Sequence, residues 1–268
     1  MPAPDWTLLL RSPVFETTAL LLGLVVGSFA NVCVYRLPRR ESIVSPPSRC
    51  PSCGGLIRAR DNVPLLGWLL LRGRCRACGT PISPRYPAVE AANGLLWLAL
   101  VALRGPRAHT FVAMTLVTAL LMLSLIDFDH QILPDAITLP GIAVGLAASF
   151  LPGSPVRPLA ALLAAAGGWL AFAAVAKVYH RVRGVEGLGQ GDWKLAAMLG
   201  AFLGWQPMLL TVLIASVAGT LVGLGAVALR GRDMRHALPF GTFLGAAGIA
   251  VVFFGDPFLS WYRGLFGG

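Results

Sequence analysis

The most constraining feature of this chain is a recurrence of apolar runs close to bilayer length. They fall at about 15–35, 88–103, 110–126, 136–152, 158–178, 194–205, 207–229 and 240–258. A helix needs roughly 20 apolar residues to cross the hydrocarbon of a membrane. A chain of 268 residues has room for one or two soluble domains, but 56% of it is hydrophobic and only 13% charged. With a mean hydropathy of +0.72, the expected fold is an all-α polytopic membrane protein of about eight transmembrane helices, embedded in a lipid bilayer. Runs of small residues, such as Ala164-Ala165-Ala166-Gly167-Gly168 and Gly223-Leu224-Gly225, suit close helix packing in lipid. The 194–205 run is short and ends at an interfacial turn, Trp205-Gln206-Pro207.

The first run has no basic segment before it and is followed at once by Arg36, Arg39 and Arg40. That polarity is wrong for a cleaved signal peptide. It reads as an anchor with its N-terminus outside. Alternating the remaining spans places 36–86, 127–135, 177–194 and 230–239 inside, with seventeen of the 22 Lys and Arg residues. The positive-inside rule expects such a bias. The net charge of +10 is therefore topological, and nucleic acid is excluded as a partner. Three parts follow: an N-terminal segment and first helix, 1–35; a polar insertion, 36–86; and a seven-helix membrane core, 87–268. No internal repeat is evident.

Four of the five cysteines lie in the insertion, as Cys50-Pro51-Ser52-Cys53 and Cys75-Arg76-Ala77-Cys78. Two residues between cysteines let both thiolates of one turn reach a single metal, and a glycine after each pair eases the backbone. The deduced compartment is reducing, which disfavours disulfides. Four thiolates close a tetrahedral shell, so the expectation is a structural zinc, with rubredoxin-like iron the rival. A metal staple suits an insertion too small for a large core. Cys33, within an apolar run, is expected to be a packing residue.

The second constellation is acidic. Asp127, Asp129 and Asp135 cluster in Ile126–Asp135, closing the third span and opening the fourth. Asp192 ends Gly189-Gln190-Gly191-Asp192, at the head of another apolar run and on the same deduced face. Ionisable groups at a membrane edge are costly and by default suggest function. The competing reading of Asp192 is a helix-start acid set against the dipole. Pro134-Asp135 likewise reads as a helix start, which makes Asp135 the structural member. Two carboxylates that share a proton can activate water and protonate a carbonyl, and Asp127 with Asp192 is the pair placed to do so. His130 has no companion histidine nearby for a catalytic metal. With Glu186, these acids form a patch suited to a basic substrate segment.

Taken together, these residues resemble the type IV prepilin peptidase family. The resemblance rests on Gly27-Ser28-Phe29-Ala30-Asn31-Val32 through Tyr35-Arg36-Leu37-Pro38, the four-cysteine insertion, Ile126-Asp127 through Leu133-Pro134-Asp135, and Gly189-Gln190-Gly191-Asp192 with Lys194-Leu195. It implies a bifunctional enzyme of a bacterial inner membrane, with Asp127 and Asp192 catalytic. Prepilins or pseudopilins would lose a basic leader at the cytoplasmic face, and the new N-terminus would be methylated from S-adenosylmethionine. Pilus or secretion assembly machinery is a further partner class. The insertion is too short for a Rossmann-type methyltransferase and lacks its glycine fingerprint. The methyl-donor site would be built from inner-face loops and span ends, with Glu90 a candidate contributor, or else simply an acid near a helix start. Three other readings stand beside this one: a peptidase-only relative, a proton-coupled transporter using the acids as a relay, and a zinc-stapled scaffold without chemistry.

Overall fold

The computed structural model describes residues 13–185, 188–230 and 239–266. Among the described residues it is almost wholly helical, with only two isolated bridges, Arg49 with Leu56 and Arg74 with Pro81. The chain divides into two compact units, and the division falls within one helix, between Thr118 and Ala119.

The first unit holds α1 (Pro13–Arg36), a polar insertion with the short helix α2 (Leu66–Leu70), α3 (Arg85–Arg104), and the first half of α4 (Ala108–His130). Glycines let α1 and α3 approach closely. A Cβ at Gly23 would lie 2.8 Å from Gly94 Cα, and one at Gly27 would lie 2.9 Å from Glu90 Cα. Hydrogen bonds then tie the helices together. Asn93 Nδ2 donates to Gly23 O at 2.7 Å, and Thr118 Oγ1 donates to Asn93 Oδ1 at 2.7 Å. Trp97 Nε1 donates to Thr118 Oγ1 at 3.0 Å. In lipid no water satisfies such groups, so each is placed to satisfy another. Rungs of this kind contribute about 0.6–2 kcal/mol apiece. Cys33 is buried on α1, as a packing residue would be.

The second unit holds the rest of α4, then α5 (Asp135–Ala148), α6 (Pro158–Arg183), α7 (Gln190–Leu203), α8 (Trp205–Arg230) and α9 (Phe240–Phe266). Its centre is α7, whose Leu195–Ala201 stretch is buried throughout. It packs against α5 and α6. Small residues make this possible: a Cβ at Gly200 would lie 2.5 Å from Ala164 O, and one at Gly168 would lie 3.0 Å from Ala196 O. The Ala164–Gly168 stretch therefore packs as expected from its sequence. The second small-residue stretch does not, because a Cβ at Gly225 would meet nothing within 4 Å and Leu224 is exposed.

A helix occupies every one of the eight expected spans, but only six are long and apolar enough to cross a membrane. α5 and α7 have 14 residues each, about 21 Å of rise against roughly 30 Å of hydrocarbon. Among the described residues six helices therefore qualify as spans by length and composition, against the eight expected. Hydropathy reads composition, whereas length is set by where Pro134, Ser149, Gly189 and Gly204 bound the two helices.

Candidate active site and metal centre

The four insertion cysteines converge, with all Sγ atoms within 4.8 Å of one another. Cys50 Sγ and Cys78 Sγ are 3.8 Å apart. A tetrahedron with metal–sulfur bonds of ~2.3 Å has edges of about 3.8 Å, so the donor set fits one thiophilic ion. Each pair sits on the same turn. Gly54 N donates to Cys50 O and Cys50 N to Gly55 O, both at 2.9 Å; Gly79 N to Cys75 O and Cys75 N to Thr80 O repeat this at 2.9 Å. Ile57 N to Ser48 O and Ile82 N to Gly73 O extend the match. Gly54 (φ 68°) and Gly79 (φ 71°) take the left-handed conformation that closes each turn. The insertion is thus an internal repeat of two knuckles, which the sequence reading missed because only the Arg-Cys-x-x-Cys-Gly frame is shared.

Local donors favour the thiolate at Cys78 and Cys50, whereas at Cys53 the Gly55 N–H is outweighed by the neighbouring sulfurs of Cys78 and Cys50, which push it up to about 11. The Thr80 hydroxyl, and after it the Thr80 N–H, hold Cys78 down to about 6. N–H groups of Cys53 and then Ser52 lower Cys50. Arg76 grips Asp61 with two bonds of 2.8 and 2.7 Å, fastening the second knuckle to the turn at Ala59–Asp61.

The carboxylate site belongs to the second unit. Asp127 lies in the last turn of α4, and Asp192 is the third residue of α7. They are 5% and 9% exposed. Asp127 Oδ2 accepts from Thr242 N at 2.7 Å, a first-turn N–H of α9 that also reaches Pro239 O at 3.2 Å. The Thr242 hydroxyl lies 3.2 Å from the same oxygen and 3.1 Å from Ser124 O. Asp192 Oδ2 accepts from Gly189 N at 3.1 Å. That is half of a capping box, since glycine has no side chain to answer it. The capping contact therefore does not set Asp192 apart from Asp127, whose charge it feels.

Two glycines let these elements converge on Leu133. A Cβ at Gly191 would lie 2.8 Å from Leu133 Cβ. One at Gly241 would lie 2.9 Å from Leu133 Cδ1 and 2.9 Å from Asp127 Cγ. Asp192 lies outside the six spanning helices. Burial first, and the charge of Asp127 second, push it up to about 6. Each carboxyl has its Oδ2 engaged by a backbone N–H, that of Thr242 for Asp127 and that of Gly189 for Asp192.

The other acids separate from this pair. Asp129 and Asp135 are exposed, and Lys194 Nζ donates to Asp135 Oδ1 at 2.6 Å. That ion pair joins the first turn of α5 to α7 and trims the negative charge of the acidic patch. Glu186 lies outside the described residues. Glu90 is buried in the second turn of α3 and accepts from Leu65 N at 2.8 Å, so it tethers the insertion rather than capping its own helix. Gly241 and Thr242 were not singled out from sequence. Their signal was Pro239-Phe240-Gly241-Thr242 ahead of an apolar run, which reads only as a helix start.

Comparison with known proteins places this geometry. Residues 21–104 match the bacterial peptidase A24 N-terminal domain, and residues 114–224 match the type IV leader peptidase family. A prepilin leader peptidase/N-methyltransferase of Burkholderia pseudomallei (strain 1026b) is 44% identical over 90% of this chain and 85% of its own length. The chain belongs to this family. A Pseudomonas putida protein of the same name is 42% identical over 94% of the chain and 95% of itself. One from Myxococcus xanthus (strain DK1622) is 46% identical over 82% of the chain and 65% of itself. No solved structure matches. Within the family's two matched regions lie all four cysteines and both buried aspartates. Thr242 and Gly241 fall beyond residue 224, past the matched peptidase region.

Proposed function

We propose that this multi-pass membrane enzyme is an intramembrane aspartic endopeptidase that removes the basic leader of a prepilin or pseudopilin and N-methylates the new N-terminus. Asp127 and Asp192 form its catalytic pair, and Cys50, Cys53, Cys75 and Cys78 hold a structural zinc. The observation that carries the peptidase reading is the pairing itself: two buried carboxylates from different helices, with burial first and the charge of Asp127 second pushing Asp192 up to about 6. Two such groups do not both ionise readily, so one holds a proton while its partner is a base.

Asp127 is the member better suited to remain ionised, since Thr242 N donates to it at 2.7 Å and charge-assisted bonds favour the anion. It takes a proton from water as the water oxygen attacks the scissile carbonyl carbon. Asp192, protonated, gives its proton to the carbonyl oxygen. Collapse of the tetrahedral intermediate breaks the C–N bond, and the departing amine receives a proton from the pair. S-adenosylmethionine supplies the methyl group for the second reaction. The 36–86 insertion supports that half, with both sites at the cytoplasmic face of a bacterial inner membrane.

The test is incubation of the full-length protein in lipid with a prepilin and S-adenosylmethionine, followed by product mass. Loss of the leader and gain of one methyl are expected. Asp127→Asn or Asp192→Asn protein that folds yet cleaves at the normal rate would sink the assignment.

A further inference from the structure

The polar insertion carries one apolar face that no described residue buries. On α2, Leu66, Leu69 and Leu70 are 56%, 59% and 78% exposed. These leucines are not needed to build the insertion. Its packing is made by Trp68, whose Nε1 donates to Ile82 O at 3.0 Å, and by Gly67 against the Asp61 carbonyl.

The depth of this face is set by a hydrogen bond. Leu65 N, immediately before α2, donates to Glu90 Oε2 at 2.8 Å. Glu90 lies five residues into α3, a 20-residue helix of spanning length that begins at Arg85. At 1.5 Å per residue the anchor point is about 7–8 Å inboard of the end of that helix. Interfacial segments bury their apolar face ~5–10 Å into the headgroup and acyl boundary. The exposed leucines therefore begin at the level of lipid and not of bulk water. Basic residues flank them: Arg58 and Arg60 on the adjoining turn, and Arg72 and Arg74 after the helix, all exposed. Arginines on long stems reach back to headgroup phosphates from such a position.

From the tether, the leucines and the flanking arginines, we infer that α2 is an interfacial membrane anchor. Leu66, Leu69 and Leu70 insert among the acyl chains of the surrounding bilayer, and the arginines engage anionic headgroups. Leu65, at φ 59°, is the hinge from which the helix enters the lipid. The zinc-binding insertion is thereby held flat on the membrane surface, beyond any role assigned to it above.

The experiment places a photo-crosslinking residue at Leu70, or at Leu69 as a second position, in the full-length, metal-loaded protein. The protein is reconstituted in vesicles of phosphatidylethanolamine and phosphatidylglycerol. Leu213, exposed on α8, is the lipid-facing reference, and Ser52, exposed on the first knuckle, is the water-facing one. The expected result is phospholipid adduct at Leu70 near the Leu213 yield and several-fold above Ser52. Replacing phosphatidylglycerol with phosphatidylcholine should lower the yield. No lipid adduct at either leucine, cross-linking to a second copy, or cross-linking to added prepilin in place of lipid would each overturn the anchor. A yield indifferent to headgroup charge would overturn the role of the arginines.

Discussion

The cysteine cluster and the carboxylate pair are assembled in opposite ways. The cysteines come from two copies of one short turn, 25 residues apart, each closed by its own backbone bonds. The aspartates lie 65 residues apart in sequence, on different helices, and the donor to Asp127 comes from a third helix that starts later still. One site is a property of local chain geometry. The other exists only when three helices pack. Perturbations should therefore fail differently at the two places.

The largest effect should come from the pair itself. Asp127→Asn or Asp192→Asn should lower leader cleavage by roughly 10²–10⁴-fold, the range for a lost acid or base. Metal content and methylation of a pre-cleaved peptide should stay unchanged, which a single-turnover assay and metal analysis would read. Cys78→Ser, or chelation, should do the converse: loss of metal and methylation with leader cleavage retained. If chelation abolishes both activities equally, the two sites are not separable and the comparison fails.

A subtler substitution sharpens it. Gly241→Ala adds a methyl that would sit 2.9 Å from Asp127 Cγ and Oδ2. A displacement approaching an ångström costs roughly 10²-fold, so kcat should fall with little change in KM. In the Gly189-Gln190-Gly191 stretch the two glycines should behave unequally. Gly191→Ala meets Leu133 Cβ at 2.8 Å, whereas a Cβ at Gly189 touches only Asp192 Oδ2 at 3.6 Å and φ there is −70°. Gly189→Ala should cost no more than about 1 kcal/mol of helix capping, measurable as a small fall in melting temperature. Equal losses at both positions would show that the motif serves something other than close approach.

The last effect is confined to the pH dependence of stability. The carboxyl of Asp192 titrates at about 6 when folded, against an ordinary value of 3.8. The folded state thus holds a proton that the unfolded state has released, and stability falls as pH rises from about 4 to 6. Asp192→Asn removes that penalty and can still accept from Gly189 N. It should be more stable than the parent at pH 7, by at most about 3 kcal/mol, with the advantage gone near pH 4. Thermal unfolding at the two pH values decides it.

What could be read from the chain alone follows the same division. Cysteine spacing is short-range, so the convergence of all four sulfurs was legible, as was the helical class from apolar run length. Asp127 and Asp192 were legible as acids at a membrane edge, although what brings them together was not. Thr242 contributes a backbone N–H, which every residue but proline possesses, so no side-chain pattern announces it. Nor does an apolar run disclose that α5 and α7 stop at 14 residues, because helix ends are set by backbone turns and tertiary contacts. Glu90 was noticed as a charge, but its partner is the amide of Leu65, which carries no mark in sequence.

The Thr242 hydroxyl has a single hydrogen and two acceptors within reach, Ser124 O and Asp127 Oδ2. While Asp127 is ionised, the hydrogen points to the carboxylate. Once Asp127 has taken a proton from water, the hydroxyl is free to turn to the helix carbonyl and stay satisfied. It behaves as a rotor whose orientation records how far the reaction has gone, without any heavy atom moving. Valine at this position would keep the shape and remove the rotor, leaving the amide of residue 242 as the fixed donor to Asp127.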